Sequence, residues 1–219
     1  MKINIAIDGP SAAGKSTIAN ILADRLGYTH LDTGAMYRAV GYNAIKNGIA
    51  LDDEENIVKM IENMDLKMNA DGSVVLDGVD ISNAIRENEI SMAASDVSKH
   101  KNVRSALVAM QQKICENKGY ILDGRDIGTV VLKDAELKIF LTASAESRAR
   151  RRCLQNEMMG IPYDYNQILE DIEKRDYQDT HRENSPLTQA KDAVVVDSSD
   201  ITIDEEISMI MRLIEEKIK

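Results

Sequence analysis

The sequence has no tryptophan and few aromatic residues of any kind. Aromatic residues make up 4% of its 219 residues, so it offers few of the ring platforms on which single-stranded nucleic acids stack. It also lacks an excess of positive charge, because its formal net charge is −10 whereas a general nucleic-acid binder carries a basic face. These shortages argue against nucleic acid as a partner. Any anionic ligand must therefore be held by local clusters of basic side chains.

Cysteines and long apolar runs are scarce as well. Cys115 and Cys153 lie far apart and form no C-x-x-C pair, so we expect reduced thiols of a cytoplasmic protein rather than a disulfide or a metal site. No apolar run approaches the length of a membrane span, and the opening Met1-Lys-Ile-Asn-Ile is typical of a strand rather than of a signal peptide. A hydrophobic content of 43% with 29% charged residues predicts a globular protein without a membrane partner.

The most informative motif is Gly9-Pro-Ser-Ala-Ala-Gly-Lys-Ser16, which matches the phosphate-loop pattern G-x-x-x-x-G-K-[ST] at every fixed position. A short apolar strand, Ile3–Ile7, precedes it, and a helix with one apolar face, Thr17–Leu26, follows it. The glycines let the backbone wrap a phosphate, and the helix directs its free N–H groups towards it. We expect Lys15 to reach the β- and γ-phosphates of a nucleoside triphosphate and the Ser16 hydroxyl to ligate Mg²⁺. The alternative, an ordinary glycine turn before a helix, is disfavoured by the two correct flanks.

The rest of the chain alternates between strand and helix patterns. Five apolar strands with helices between them predict a three-layer α/β/α fold with a five-stranded parallel sheet; they lie at residues 3–7, 28–31, 120–123, 137–141 and 193–197. Residues 66–78 depart from this pattern, because two short strands around Asp71-Gly72 predict a small antiparallel insertion. Two helices at 145–158 and 165–177 predict a helical hairpin that closes over a site. His100 has no second histidine at ligand spacing and is predicted to lie on the surface.

Charged residues follow two of the predicted strands. Strand 120–123 ends in Asp123, a position that suits a direct or indirect Mg²⁺ ligand. The next loop holds Arg125 and Asp126 between glycines, at the sheet edge where open α/β sheets bind ligands; a structural salt bridge is the alternative. Arg38 lies in the first turns of a predicted helix, which is unfavourable without an anion, although a solvated arginine is equally compatible.

Arginines are concentrated in the second half of the chain. Arg148, Arg150, Arg151 and Arg152 lie within five residues, and such like charges repel one another without a counter-anion. In a chain of net charge −10 this favours a polyphosphate partner over the alternative, a solvated basic helix. If the helix that begins at 165 persists, the residues Arg175, Asp179 and Arg182 share one face, where an ion-pair ladder is the alternative.

This distribution of arginines indicates the kind of acceptor. The guanine-reading motif Asn-Lys-x-Asp is absent from the sequence, which counts against a GTPase. A phosphate-monoester acceptor needs no general base, but it must approach another anion: two unit charges about 5 Å apart at an effective dielectric of about 20 repel by roughly 3 kcal/mol. Bidentate arginines relieve this repulsion. The expected acceptor-phosphate set is Arg38, Arg125 and Arg182, and the set expected to neutralise the transferring group is Arg148, Arg151 and Arg152.

These motifs together resemble the bacterial cytidylate kinases, a family of P-loop nucleoside monophosphate kinases, over essentially the whole chain. The segment Asp123-Gly-Arg-Asp-Ile-Gly-Thr-Val-Val131 is the most specific part of the resemblance. The other matching parts are Gly9–Thr17, Leu31–Arg38, Ser95, Arg104, Arg148–Leu154 and Arg175–Arg182. The resemblance implies a P-loop kinase fold and Mg²⁺-dependent transfer of the ATP γ-phosphoryl group to CMP or dCMP by a monomer. It also implies a core at about 1–61 and 102–219, an acceptor-binding insertion at 62–101 and a lid at 148–165.

The resemblance assigns roles to individual residues. It implies that Ser95, Arg104 and Asp126 read cytosine, that Thr33, Arg175 and Asp179 contact the sugar, and that Arg38, Arg125 and Arg182 contact the CMP phosphate. The implied ATP-binding residues are Gly9, Pro10, Ser11, Ala12, Ala13, Gly14, Lys15, Ser16, Thr17 and Arg148. The implied catalytic residues are Lys15, Arg125, Arg151, Arg152 and Arg182, with Ser16 and, indirectly, Asp123 on the metal.

Two other functions are weighed against this one. A small-metabolite kinase of the shikimate-kinase type shares the loop and the fold, but it lacks the insertion and needs no base-reading residues. A nucleotide-binding regulatory module without transferase activity predicts slow ATP hydrolysis that is unaffected by CMP, and it needs a partner-binding surface that the sequence does not reveal.

Overall fold

The computed structural model describes residues 1–69 and 71–218. Its strands are β1 (Ile5–Asp8), β2 (Thr29–Asp32), β3 (Leu66–Met68), β4 (Val74–Leu76), β5 (Val79–Asp80), β6 (Tyr120–Gly124), β7 (Leu137–Thr142) and β8 (Val194–Asp197). Its longer helices are α1 (Lys15–Leu26), α2 (Thr33–Lys46), α3 (Glu54–Asn63), α4 (Asn88–Val97), α5 (Lys101–Ile114), α6 (Ala145–Met158), α7 (Tyr165–His181) and α8 (Ile203–Ile218). Among the described residues, no helix combines the length and the apolar character needed to cross a bilayer.

The main sheet has five strands in the order β2-β6-β1-β7-β8, and every pair is parallel. This confirms the predicted architecture. The register pairs Asp32 with Asp123 and Asp8 with Gly124. Three carboxylates, from Asp8, Asp32 and Asp123, therefore lie at the carboxyl ends of three neighbouring strands, which is the edge where such sheets bind ligands.

Helices cover both faces of the sheet because side chains alternate along each strand. On β1, Ile5 and Ile7 pack into one core with α1 and α8, whereas Ala6 faces a second core that contains α2 and α5. All three residues are fully buried. The sheet is thus the middle of three layers, and its loops at the carboxyl end are held between the two cores.

The insertion contains a three-stranded antiparallel sheet in the order β3-β4-β5. The prediction of two strands was incomplete, because β4 ends at Leu76 and the chain then reverses through Asp77 and Gly78, both with positive φ, into β5. Leu76 packs with Ile85 in a third apolar cluster, which also holds residues of α2. The insertion is therefore packed directly on the helix that follows β2.

Three local predictions differ from the structure. α7 runs to His181, four residues beyond the predicted end. The loop after Gly124 contains a wide helical turn, Ile127–Val131, in which Leu132 N–H donates to Ile127 O. His100 is half-buried rather than superficial, because its Nε2 lies 2.7 Å from the carbonyl oxygen of Leu51 and ties the start of α5 to the segment before α3.

Candidate active site

The phosphate loop connects β1 to α1 as predicted, and its backbone requires glycine at the first position. A Cβ on Gly9 would lie 1.9 Å from the carbonyl oxygen of Leu141 on β7, so no larger residue fits there. Lys15 is buried and donates from Nζ to the carbonyl oxygen of Pro10 at 2.7 Å, across the loop. Burial, and after it the positive charge of Arg125, lowers the pKa of Lys15 to about 7.

Ser16 and Asp123 form the oxygen pair that suits a divalent ion. The Ser16 hydroxyl donates to Asp123 Oδ2 at 2.9 Å, and Asp123 Oδ1 lies 2.6 Å from Nε2 of His30. Burial opposes charge on His30, but its contact with Asp123 outweighs this and raises the histidine pKa. Within residues 1–69 and 71–218, no cluster of three or more His, Cys, Asp or Glu side chains could hold a metal alone.

A cavity of about 280 Å³ opens beside the phosphate loop. It brings together residues that the sequence places up to 170 positions apart, because α2, α4, α5, β6 and α7 all contribute to its wall. The predicted residues that line it are Ala12, Lys15, Ser16, Thr33, Arg38, Ser95, Arg104, Asp123, Arg125, Asp126, Arg175, Asp179 and Arg182.

Three guanidinium groups in this cavity have buried donors with no hydrogen-bond partner. They are Nε of Arg38, Nε of Arg104 and Nη2 of Arg182. Leaving a buried charged donor unpaired costs free energy, so proteins keep such groups where a ligand completes them. Arg182 also illustrates the crowding of positive charge, since burial and then the charge of Arg104 lower its pKa.

Arginine donors of the cavity are also paired with carboxylates. Arg125 Nε donates to Asp179 Oδ2 at 2.6 Å, and Arg38 Nη2 donates to Asp32 Oδ2 at 2.8 Å. A third pair, Arg104 with Asp126, is buried. These pairs fix the direction of each guanidinium and leave its remaining N–H groups available.

Tyr37 belongs to this wall but did not stand out in the sequence. Its ring centroid lies 5.5 Å from the guanidinium carbon of Arg104, which is a cation–π distance, and burial raises the pKa of its hydroxyl to about 12. Asp32 and His30 were missed for the same reason as Tyr37: each occupies a regular position in a strand or helix, where the sequence offers a purely structural explanation. Only their positions beside the cavity in the folded chain identify them as residues of the candidate site.

Thr33 occupies the junction between β2 and α2. It is buried, and its Oγ1 donates to the backbone carbonyl of Asp123 at 2.7 Å. A Cβ on Gly124 would lie 2.9 Å from that hydroxyl, so the glycine is needed for this approach. Ser95 is on α4, where its hydroxyl makes only a long contact of 3.4 Å to the carbonyl oxygen of Ser91.

The arginines of α6 do not enter the cavity. Arg148 is buried against the phosphate loop: it donates to Ser11 O at 2.9 Å and pairs with Asp176 at 2.6 Å. Arg151 instead contacts Ser198 after β8, and Arg152 is exposed and donates to Gln155. The structure thus brings Arg148 to the predicted ATP-binding loop and leaves Arg151 and Arg152 elsewhere, so their catalytic role stays a prediction.

Comparison with known proteins identifies the family. The family model described as "Cytidylate kinase" matches residues 5–216. The chain belongs to the cytidylate kinase family. A cytidylate kinase of Caldicellulosiruptor bescii is 52% identical over 100% of this chain and 98% of its own length. One of Lysinibacillus sphaericus is 50% identical over 98% of this chain and 97% of its own. Membership of the cytidylate kinase family makes the chain a P-loop phosphotransferase.

Solved structures agree with the fold of this cytidylate kinase family member. A shikimate kinase of Bacteroides thetaiotaomicron has a TM-score of 0.50 at 12% identity, covering 98% of this chain and 99% of its own. A protein of Eubacterium ventriosum described as uncharacterized has a TM-score of 0.56 at 14% identity, with the same two coverages. At these identities the likeness concerns the fold alone, so it gives no support to the shikimate-kinase alternative over the family match.

Proposed function

We propose that the chain transfers the γ-phosphoryl group of ATP to CMP or dCMP, with Mg²⁺, and releases ADP with CDP or dCDP. The observation that carries this proposal is the set of unpaired buried guanidinium donors, from Arg38, Arg104 and Arg182, in one cavity next to Lys15 and Ser16. A cavity that offers charged donors to a second anion beside a triphosphate site suits phosphoryl transfer between two phosphates.

The phosphate loop would hold the donor nucleotide. Its backbone N–H groups and the start of α1 would surround the β-phosphate, and Lys15 would leave Pro10 O for the β- and γ-phosphates. Ser16 would hold Mg²⁺ directly and Asp123 would orient that contact, since the two side chains already share a hydrogen bond. When bound, the ion neutralises charge on the β- and γ-phosphate oxygens.

The acceptor needs no general base, because a phosphate monoester is already an anion at neutral pH. Its repulsion from the triphosphate is the barrier that the protein must lower. Arg38, Arg125 and Arg182 would bind the acceptor phosphate from three separate elements and hold its attacking oxygen in line with the γ-phosphorus. Arg151 and Arg152 would reach the transferring group only by movement of the α6–α7 hairpin.

The base and sugar would lie along the wall farther from the phosphate loop. Asp126 would accept from the exocyclic amine of cytosine, and Arg104 would donate to the ring N3 and O2 with Ser95 beside them. Asp179 would accept from a sugar hydroxyl, next to Thr33 and Arg175. UMP presents a carbonyl oxygen in place of the amine. This oxygen and the Asp126 carboxylate are both acceptors, so bringing them together in a buried site is unfavourable.

The proposed division of the chain follows from these roles. Residues 62–101 would be the acceptor-binding insertion on a core of about 1–61 and 102–219, and residues 148–165 would be a lid that excludes water during transfer. We expect a cytoplasmic monomer, since the residues proposed to bind both substrates come from one chain.

Coupled measurement of ADP release tests the proposal with CMP, dCMP, UMP, AMP and shikimate as acceptors. CMP and dCMP should give turnover far above the rate of ATP hydrolysis alone, with UMP and AMP much weaker. Turnover with shikimate but not CMP would favour the small-metabolite kinase. Slow hydrolysis that CMP does not change would favour the regulatory module.

A further inference from the structure

Asp8, the last residue of β1, is a buried carboxylate outside the set of residues predicted to bind substrate. It is 3% exposed. Its Oδ1 accepts the backbone N–H of Ile127 and its Oδ2 accepts the backbone N–H of Gly128, both at 2.7 Å. Asp8 therefore connects the strand that leads into the phosphate loop with the turn that follows Arg125 and Asp126.

The two N–H groups that Asp8 receives are the first of the helical turn Ile127–Val131. Donors at the start of a helical turn have no partner within it. The side chain of the residue just before the turn ordinarily accepts one of them, from the second or third residue of the turn, and here the second residue is Gly128. The residue just before the turn is Asp126, one of the best residue types for this role. Yet the Asp126 side chain makes no such bond.

The Asp126 carboxylate faces the cavity instead. It pairs with Arg104, and its Oδ1 lies 3.8 Å from Arg182 Nη2. One carboxylate cannot both cap the turn and point towards a ligand. Asp8, at the end of β1, accepts the N–H groups of the turn instead. The Asp126 carboxylate can therefore point into the cavity.

We propose that Asp8 is a positioning residue that determines pyrimidine selectivity, because it caps the 127–131 turn in place of Asp126 and thereby keeps the Asp126 carboxylate turned towards the base. This inference rests on the proposed function, in which Asp126 accepts from the cytosine amine. Asp8 itself touches neither substrate. Its effect reaches the base only through the direction of the Asp126 side chain.

Replacement of Asp8 by asparagine tests this inference on the full-length chain. In Asp8→Asn the side-chain oxygen still accepts one N–H, but the amide nitrogen faces the other donor. The turn then gains a donor without an acceptor, and Asp126 is drawn back to cap it. We expect the ratio of kcat/KM for CMP to kcat/KM for UMP to fall about tenfold, the equivalent of one lost buried hydrogen bond, mainly through KM for CMP.

The chain offers a matched control in Asn4, the residue just before the start of β1. Asn4 is also 3% exposed and also makes two ties, accepting from Tyr120 N–H and donating to the carbonyl oxygen of Cys115. Asn4→Asp reverses the change made in Asp8→Asn and places an acceptor against an acceptor, far from the cavity. It should reduce thermal stability and leave the CMP-to-UMP ratio at the wild-type value.

Asp126→Asn, measured in parallel, separates failure of the inference from failure of the proposed function. If Asp126→Asn lowers the ratio and Asp8→Asn does not, the inference is overturned and the base-reading role of Asp126 stands. If Asp126→Asn leaves the ratio unchanged, both are overturned.

An equal fall in Asp8→Asn and Asn4→Asp would also overturn the inference, because selectivity would then follow stability. If Asp8→Asn does not fold, Asp8→Ser decides the question: its hydroxyl accepts only one of the two N–H groups, and the ratio should fall. A wild-type ratio in folded Asp8→Ser overturns the inference.

Discussion

Arg182 should show opposite effects on catalysis and on the stability of the empty protein. It follows the last residue of α7, and its Nε donates to the carbonyl oxygen of Ser185 at 2.7 Å, which fixes the direction of the guanidinium. Its Nη2 is buried without a hydrogen-bond partner, and the positive charge of Arg104 is close enough to help lower its pKa. An arginine that serves only folding would have all its buried donors hydrogen-bonded. The hydrogen bonding of Arg182 is incomplete in the empty protein.

The magnitudes follow from these contacts. Replacing Arg182 by methionine keeps most of the buried stem and removes a donor without a hydrogen-bond partner, which costs about 1–3 kcal/mol. It loses one hydrogen bond worth about 1 kcal/mol and the 3.8 Å contact with Asp126, whose carboxylate stays paired with Arg104. The free energy of unfolding should therefore change little or rise, with a melting temperature at most about 3 °C lower. If Arg182 makes two charge-assisted hydrogen bonds to the acceptor phosphate, at about 1.5–3 kcal/mol each, kcat/KM for CMP should fall by about 100- to 10,000-fold.

The assay combines steady-state kinetics with thermal unfolding of Arg182→Met and of Arg150→Met. Arg150 lies in the arginine cluster of α6 and is exposed, so its replacement controls for the loss of one positive charge. Arg182→Met should lower kcat/KM for CMP at saturating ATP and leave KM for ATP near the wild-type value. A change confined to KM for ATP would place Arg182 on the wrong substrate. A fall in melting temperature of about 10 °C would make it a structural residue.

Three further predictions concern other parts of the molecule. Lys15→Met should abolish turnover in the ADP-release assay, since no other side chain of the phosphate loop supplies a positive charge; retained activity refutes the phosphate-loop assignment. Burial raises the pKa of Glu206 to about 7, above its usual value, so the folded protein loses stability as the pH rises towards 7. Glu206→Gln should add about 1–2 kcal/mol to the unfolding free energy at pH 8 and less at pH 5, as chemical denaturation would measure, and a gain that is independent of pH contradicts this. Arg151→Met and Arg152→Met should each lower kcat if the hairpin brings these residues to the transferring phosphate, and two wild-type values of kcat refute that role.

The five-stranded sheet and the phosphate loop could be predicted because the sequence patterns that indicate them are local. Short apolar runs predicted the five strands of the main sheet, and the loop motif with its two flanks predicted the phosphate site. The errors lie where backbone reversals decide the outcome: Asp77 and Gly78 turn the chain into a strand too short to show a pattern of its own. The end of α7 was predicted too early because its last residues are polar and mostly exposed, so they carry no apolar period.

The candidate site was predictable as a list of side chains but not as an arrangement. Residue type and motif pointed to Arg38, Arg125 and Arg182, which all line the same cavity. Nothing in the sequence indicated that Asp8 would accept N–H groups 119 and 120 positions away, or that Arg151 would contact Ser198. Such contacts depend on which strands become neighbours, and the strand order of the sheet is not written in any local pattern of the sequence.

The charge of the cavity explains how an acidic protein can select a dianion. Ten side chains of Lys, Arg or Asp line the cavity, six of them basic and four acidic, so basic groups exceed acidic groups by two within a chain of net charge −10. A phosphate monoester carries about −1.5 to −2 charges at neutral pH, which matches that excess. The aspartates are compatible with an anion site, because three of them, Asp32, Asp126 and Asp179, pair with guanidinium groups and fix their directions. Selection then depends on the positions of unpaired donors, and an inorganic anion of equal charge but without a base and sugar should compete with CMP only weakly.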